Sequence, residues 1–160
     1  MTDEFIVDVA TLRVAGNPAR LTCLGLGSCL GIALYEHRAR IGGLAHTMLP
    51  RFELGRNKRN PARYVDTSIY IMLDEIIEKG GRKHNIQAKI VGGARMFANM
   101  GLETMDIGQR NIEAARKTLK KERISIKAMD VGGNKGRTMS FDLKTGVIEI
   151  KTIREKSIEI

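Results

Sequence analysis

The sequence has no tryptophan, three prolines, two cysteines and no long apolar run. Its aromatic residues, 4% of the chain, are scattered singly, which excludes a stacking surface for single-stranded nucleic acid. No apolar segment approaches the roughly 20 residues that a membrane helix needs. The acidic N-terminus lacks the basic region of a signal peptide. In a chain without an export signal, two cysteines are expected to be free thiols and not a disulfide framework. We therefore expect a cytoplasmic protein that does not insert into a membrane.

The composition is that of a globular protein. The chain is 160 residues long, 42% hydrophobic and 28% charged, which excludes a disordered or collagen-like protein. A chain of this length buries about two-thirds of the surface that it exposes when unfolded. We expect residues 1–160 to form a single domain without an internal repeat or linker.

Positive charge is concentrated in the second half of the chain. The formal net charge is +9, and residues 81–160 carry 17 basic and 9 acidic residues, most densely between Arg110 and Lys127. A basic face attracts nucleic acid, acidic lipid or an acidic protein surface, although such a face is often only solvated. No helix-turn-helix or zinc-finger spacing is present, so we do not expect nucleic acid as a partner.

Short apolar segments bounded by glycines and polar residues predict strands. They occupy residues 5–9, 21–26, 29–35, 41–49, 88–91 and 124–131, and a terminal hairpin is expected from 138–143 and 147–153. Asn60-Pro61 predicts the start of an amphipathic helix that ends at Gly80-Gly81, and residues 111–122 predict a second helix. Six to eight strands with two principal helices indicate an α+β or α/β fold.

Cys29 and His46 form the strongest candidate catalytic pair. Cys29 follows the glycine-rich turn 25–28, whose backbone N–H groups can stabilise an oxyanion. A cysteine nucleophile needs a neighbouring base or cation, and a hairpin between segments 29–35 and 41–49 would bring His46 to it. Gly42 and Gly43, which precede the histidine, would leave space for a substrate chain.

Structural explanations compete with this pair. An isolated cysteine in an apolar run is usually a small core residue, and a histidine between Ala45 and Thr47 is often only hydrogen-bonded. The cysteines and histidines include no C-x-x-C or H-x-x-x-H spacing, and the glycine-rich pieces match neither a phosphate-binding loop nor a dinucleotide fingerprint. We therefore expect neither a metal nor a cofactor.

Several blocks of the sequence resemble the CheD family of chemoreceptor glutamine deamidases. The segment CLGLGSC at 23–29 and the segment GGLAHTMLP at 42–50 carry the most specific likeness. The likeness continues in AKIVGGARMF at 88–97, IGQRN at 107–111 and DVGGNKGR at 130–137. These blocks recur in order over most of the chain, so catalysis becomes the favoured interpretation of Cys29 and His46.

The resemblance implies a fold and a reaction. The fold is α+β, with two packed mixed β-sheets and outer helices in the layer order α/β/β/α, an architecture shared with cysteine-dependent deamidating toxins. Cys29 would be the nucleophile and His46 the base in converting receptor glutamines (on methyl-accepting chemotaxis proteins) to glutamate through a thioester, which regulates chemotaxis adaptation. For the oxyanion hole, our own hypothesis is the backbone N–H groups from Gly27 through Ser28 to Cys29.

One position departs from the family pattern. The third catalytic residue of the family is a threonine six positions before the nucleophile, where this sequence has Cys23. Thr22 is one residue earlier, and neighbours on a strand face opposite sides, so it cannot simply replace the missing threonine. A thiol is a poor hydrogen-bonding group and would orient His46 weakly. Either Cys23 or Thr22 is expected to occupy the third position.

The resemblance also implies two protein partners. One is the cytoplasmic domain of a chemoreceptor, whose acidic surface suits the basic half of the chain. The other is CheC, a phosphatase that acts on the phosphorylated response regulator CheY. Members of the family stimulate CheC. The alternative function is therefore a CheD-like adaptor that binds and stimulates CheC with little or no deamidase activity.

Overall fold

A computed structural model of the protein describes residues 1–96 and 106–160. Phe97, the last residue of the block at 88–97, lies outside the described residues. In chain order the strands are β1 (Asp3–Ile6), β2 (Thr11–Gly16), β3 (Ala19–Leu26), β4 (Leu30–Glu36), β5 (Ile41–Thr47), β6 (Ile86–Gly92), β7 (Ser125–Val131), β8 (Arg137–Asp142), β9 (Ile148–Lys151) and β10 (Ile158–Glu159). The helices are α1 (Val65–Glu78) and α2 (Ile107–Lys121), and single 3₁₀ turns occupy Phe52–Leu54, Pro61–Arg63 and Lys83–Asn85.

The strands form two mixed sheets of five strands each. The first sheet has the order β1-β3-β8-β9-β10, and the second has the order β2-β5-β4-β6-β7. The pairs β1–β3 and β6–β7 are parallel, and all other pairs are antiparallel. Neither of the described helices is both long and apolar enough to cross a membrane.

Two apolar layers hold the fold together. The layer between the sheets includes Leu21, Leu44 and Phe141, each at most 1% exposed. The layer between the second sheet and the helices includes Ile69 of α1 and Leu119 of α2, both fully buried. The second sheet is therefore buried on both faces, as its uninterrupted apolar strands indicate.

The predicted α+β architecture with two packed mixed sheets and outer helices is confirmed. Both α1 and α2 pack against the second sheet. The outer face of the first sheet instead carries polar, half-exposed residues, among them Arg20, Thr22 and Ser140. The layers formed by residues 1–96 and 106–160 therefore follow the order helix, sheet, sheet. The second helical layer of the α/β/β/α arrangement is not found among these residues, because the polar outer face of the first sheet offers a helix no apolar surface to cover.

Most elements form where the apolar pattern predicts them, and α1 starts later than expected. Asn60 caps a single 3₁₀ turn, with its side chain accepting a hydrogen bond from the Ala62 N–H. Tyr64 then has extended backbone angles (φ −110°, ψ 143°), so the α-helix begins only at Val65. Strands β2 and β10 were not predicted from the sequence.

Candidate active site

The β4–β5 hairpin brings the regions of Cys29 and His46 together, as predicted. Gly31 of β4 lies directly opposite His46 of β5. Cys29 precedes Gly31 by two residues, so side-chain alternation places it on the same face, diagonally across from His46. This face looks toward the first sheet, because a Cβ atom on Gly31 would lie 2.2 Å from Met139 Sδ. The candidate nucleophile and base therefore lie on the same face, at one end of the space between the sheets.

His46 has one ring nitrogen bonded and the other free. Its Nδ1 atom lies 3.2 Å from the Val7 carbonyl oxygen, and the side chain is only 2% exposed. A carbonyl can only accept a hydrogen bond, so Nδ1 carries the proton and Nε2 presents a lone pair. Nε2 is buried and has no hydrogen-bond partner among residues 1–96 and 106–160. His46 is thus held in the tautomer that can accept a proton at Nε2.

Electrostatics keep both members of the pair neutral at rest. Burial lowers the pKa of His46, and the Val7 carbonyl and Asp8 oppose this effect. Burial also raises the pKa of the half-buried Cys29 thiol, and its own backbone N–H works in the opposite direction. At neutral pH the site therefore holds a thiol and a neutral imidazole, and a base must remove the thiol proton before attack.

The loop that carries Cys29 is fixed through its carbonyl groups. The N–H groups of Ala94 and Gly93 donate to the carbonyl oxygens of residues 27 and 29, at 2.8 and 2.9 Å, and the Asn111 side chain donates to that of residue 28, at 2.9 Å. In a trans peptide the N–H points opposite to the carbonyl of the same unit. The N–H groups of Ser28 and Cys29 therefore point away from these donors, as an oxyanion hole requires.

The backbone next to the nucleophile approaches so closely that it excludes a side chain. Gly92 has φ +109°, and a Cβ atom there would lie 2.5 Å from the Cys29 carbonyl oxygen. An L-residue at this position would be strained and would push the nucleophile loop away. Glycine at this position therefore allows β6 to support Cys29.

Cys23 and Thr22 lie on opposite faces of β3. Cys23 is fully buried in the layer between the sheets, the layer that His46 also faces. Thr22 points to the outer face, where its hydroxyl lies 3.0 Å from the Ser140 hydroxyl. Burial and the neighbouring Cys29 raise the pKa of Cys23 far above its ordinary value, so Cys23 stays a neutral thiol. Of the two residues, Cys23 is therefore the one that faces the layer in which His46 lies.

Gly42 and Gly43 have a packing explanation in the structure. Both lie near the start of β5, and a Cβ atom on Gly42 would lie 2.6 Å from Leu143. On the other face, a Cβ atom on Gly43 would lie 3.0 Å from Met72. The space expected for a substrate chain is occupied by core side chains, because the sheet is covered on both faces here.

Two residues of the site were not assigned from the sequence. Val7 acts through its backbone carbonyl, which leaves no signal in the residue type. Asn111 belongs to the block at 107–111, but its contact with the Cys29 loop depends on how α2 packs. One sequence signal could have identified Asn111, because it is a polar residue on the apolar side of an amphipathic helix, beside Ile112 and Ala115.

Comparison with known proteins identifies a family that matches most of the chain. The family model described as CheD chemotactic sensory transduction matches residues 48–152. A protein named probable chemoreceptor glutamine deamidase CheD, from Clostridium tetani, is 51% identical over 152 residues, which cover 94% of this chain and 92% of the relative. The chain belongs to the CheD family.

Other CheD relatives come from distant organisms. The probable chemoreceptor glutamine deamidase CheD 1 of Methanosarcina acetivorans is 43% identical over 148 residues, covering 92% of this chain and 91% of its own. A protein named probable chemoreceptor glutamine deamidase CheD, from Pyrococcus abyssi, is 39% identical over 153 residues, covering 96% of this chain and 94% of its own. Alignments of this extent span the positions of Cys29 and His46, whereas the match to the family model, at residues 48–152, begins after both.

Proposed function

We propose that the chain is a cysteine-dependent deamidase that converts glutamines of chemoreceptors to glutamate. The observation that carries the proposal is the buried Nε2 atom of His46, which has no hydrogen-bond partner among the described residues and lies on the face where Cys29 lies. The relatives named chemoreceptor glutamine deamidase CheD support the substrate class. A cytoplasmic location belongs to the same proposal, since the receptor signalling domains implied as substrates lie there.

The first chemical step forms a thioester. The Nε2 atom of His46 takes the proton of the Cys29 thiol while Sγ attacks the side-chain amide carbon of the glutamine. The carbonyl electrons move to oxygen, and the N–H groups of Ser28 and Cys29 stabilise the resulting oxyanion. When the intermediate collapses, the C–N bond breaks and the imidazolium of His46 returns the proton to the leaving ammonia.

The second step hydrolyses the thioester. Ammonia leaves, and water takes its place next to His46, whose Nε2 atom is again unprotonated. The water attacks the thioester carbon, His46 takes its proton, and the C–S bond breaks to release glutamate and the Cys29 thiol. The Val7 carbonyl accepts a hydrogen bond from Nδ1 and so stabilises the imidazolium that forms in both steps.

Helix α2 supplies a surface suited to an acidic receptor. Its exposed side includes Arg116, Lys117 and Lys120, which have no ion-pair partner among the described residues. The same helix reaches the nucleophile loop through Asn111. An acidic coiled coil would therefore be attracted to the side of the molecule that α2 forms.

Receptor binding should weaken as salt is added. We expect the affinity for a receptor fragment to fall by about one order of magnitude between low and moderately high ionic strength, mainly through the association rate. Lys117→Glu should weaken binding by about threefold or more at low salt. Lys144→Glu, which makes the same charge change in the β8–β9 turn, is the control for net charge. Surface plasmon resonance would measure both effects, and a salt-independent affinity would contradict the α2 interface.

The third position can be tested by restoring the family residue. A neutral hydrogen bond contributes about 0.5–1.5 kcal/mol, so Cys23→Thr should raise kcat by roughly two- to tenfold if the residue orients His46. Thr22→Ala is the comparison, and it should leave kcat unchanged because Thr22 faces away from the site. Steady-state kinetics on a receptor fragment would measure both, and a loss of kcat in Thr22→Ala alone would assign the position to Thr22.

The resemblance further supports a CheC-type phosphatase as a second partner. A Cys29→Ala variant should still stimulate such a phosphatase, since binding does not need the thiol.

The deamidase proposal itself is tested by incubating a receptor cytoplasmic fragment with the protein and mapping its peptides by mass spectrometry. Conversion of particular glutamines to glutamate supports the proposal. A fragment that binds but keeps every glutamine would contradict it and favour the adaptor function.

A further inference from the structure

Asn111 is a fully buried polar residue in the second turn of α2. The helix begins after Asp106, whose side chain caps it by accepting a hydrogen bond from the Gln109 N–H. A buried asparagine inside a helix is unfavourable unless its amide is used, because it takes the place of an apolar residue. The position of its amide group shows how it is used.

The Nδ2 group of Asn111 donates two hydrogen bonds. One goes to the Ser28 carbonyl oxygen at 2.9 Å, and the other goes to the Met48 carbonyl oxygen at 3.1 Å. Both partners are acceptors, so they fix which end of the amide faces them. The Oδ1 atom is buried and has no hydrogen-bond partner in the part of the chain that the structure describes. Because an unpaired buried acceptor is unfavourable, the two bonds from Nδ2 must account for the presence of the asparagine.

These two carbonyls belong to the two halves of the candidate active site. Ser28 immediately precedes the nucleophile, and Met48 follows the base His46 by two residues. The Ser28 carbonyl and the Cys29 N–H belong to one planar trans peptide and point in opposite directions. A donor that holds the carbonyl therefore also aims the Cys29 N–H at the opposite side, where the oxyanion would form.

We infer that Asn111 is a positioning residue, which joins the nucleophile loop to the strand of the base and orients the Cys29 N–H for the oxyanion. This inference rests on the proposed deamidase function. Asn111 lies behind the loop and does not touch the reacting atoms, so it acts through the Ser28–Cys29 peptide. Displacement of a reacting group by about 1 Å can cost roughly 100-fold in rate, so a single amide in this place has a large effect.

The test compares two substitutions of Asn111 with a control in the same helix. Asn111→Ala removes the amide, and Asn111→Asp keeps its shape but replaces the donor by an oxygen. We expect kcat on a receptor fragment to fall by about 10- to 100-fold in both variants, with KM unchanged, because binding does not depend on the loop peptide. Leu119→Val shortens another buried side chain of α2. It should leave kcat close to the wild-type value even where it lowers the melting temperature as much as the Asn111 variants do.

A second readout does not need catalysis. The N–H groups of Gly93 and Ala94 donate to the carbonyls of the nucleophile loop, so their hydrogen exchange reports on how firmly the loop is held. We expect exchange to accelerate by about tenfold or more in Asn111→Ala and not in Leu119→Val. If the wild-type protein does not deamidate a receptor, the proposed function fails, and this measurement still decides the role of Asn111.

Two results would overturn the inference. One is unchanged kcat and unchanged exchange in Asn111→Ala. The other is an equal loss of kcat in Leu119→Val at the same melting temperature, which would mean that Asn111 only stabilises the fold. A fall in kcat with constant KM, together with faster exchange at Gly93 and Ala94, supports the positioning role.

Discussion

Replacing Cys29 by alanine should lower the rate of receptor deamidation by about 10⁴-fold or more. The thiol forms the covalent bond to the substrate, and the other cysteine, Cys23, cannot take its place, since it is fully buried and stays a neutral thiol. The variant should fold normally, because Cys29 is half-buried and the change removes one atom. The rate is measured by peptide mapping of the receptor fragment over time.

The control for this variant is binding. Cys29→Ala should bind the receptor fragment with wild-type affinity, because the basic residues of α2 are untouched. Retained binding with lost conversion separates the chemistry from docking. Deamidation at more than about one-tenth of the wild-type rate would mean that another group is the nucleophile.

Replacing His46 by asparagine should lower kcat by about 10²- to 10⁴-fold. Asparagine retains an N–H donor for the Val7 carbonyl, so the local structure is kept while the Nε2 base is removed. Circular dichroism and thermal unfolding would confirm that the variant is folded. Near wild-type kcat in a folded His46→Asn variant would exclude His46 as the base.

The pH profiles of the wild type and this variant should differ in shape. The base must be neutral to act, and burial lowers the pKa of His46, so wild-type activity should be lost only as the pH falls below about 6.5. The Cys29 pKa is raised, so His46→Asn should instead gain activity as the pH rises above about 8.5 and hydroxide removes the thiol proton. An acid limb that survives in His46→Asn would assign it to another group.

The sequence predicted the parts of the site that depend on local pattern. Cys29 and His46 stand on two adjacent apolar segments with a short polar connection, and this pattern is sufficient to predict the hairpin that pairs Gly31 with His46. Strand alternation also predicted that Thr22 and Cys23 face opposite sides. It did not say which side faces His46, because that depends on how the first sheet packs on the second.

The remaining features depend on contacts that are distant in the chain. The Val7 carbonyl fixes the tautomer of His46 across 39 positions, and Asn111 reaches Ser28 across 83. The spacing of apolar residues along the sequence gives no information about contacts between residues so far apart. The prediction about Gly42 and Gly43 was wrong for the same reason. The absence of side chains at these positions suggested space for a substrate, but Leu143 and Met72 fill that space from the two neighbouring layers.

The most direct test of the account is to trap the thioester with hydroxylamine. Hydroxylamine competes with water for an acyl group on Cys29, so a receptor fragment treated in its presence should carry glutamyl hydroxamate at the glutamines that otherwise become glutamate. We expect this product with the wild-type protein and not with Cys29→Ala. Glutamate alone at saturating hydroxylamine, or hydroxamate formed equally by Cys29→Ala, would contradict a covalent intermediate on Cys29.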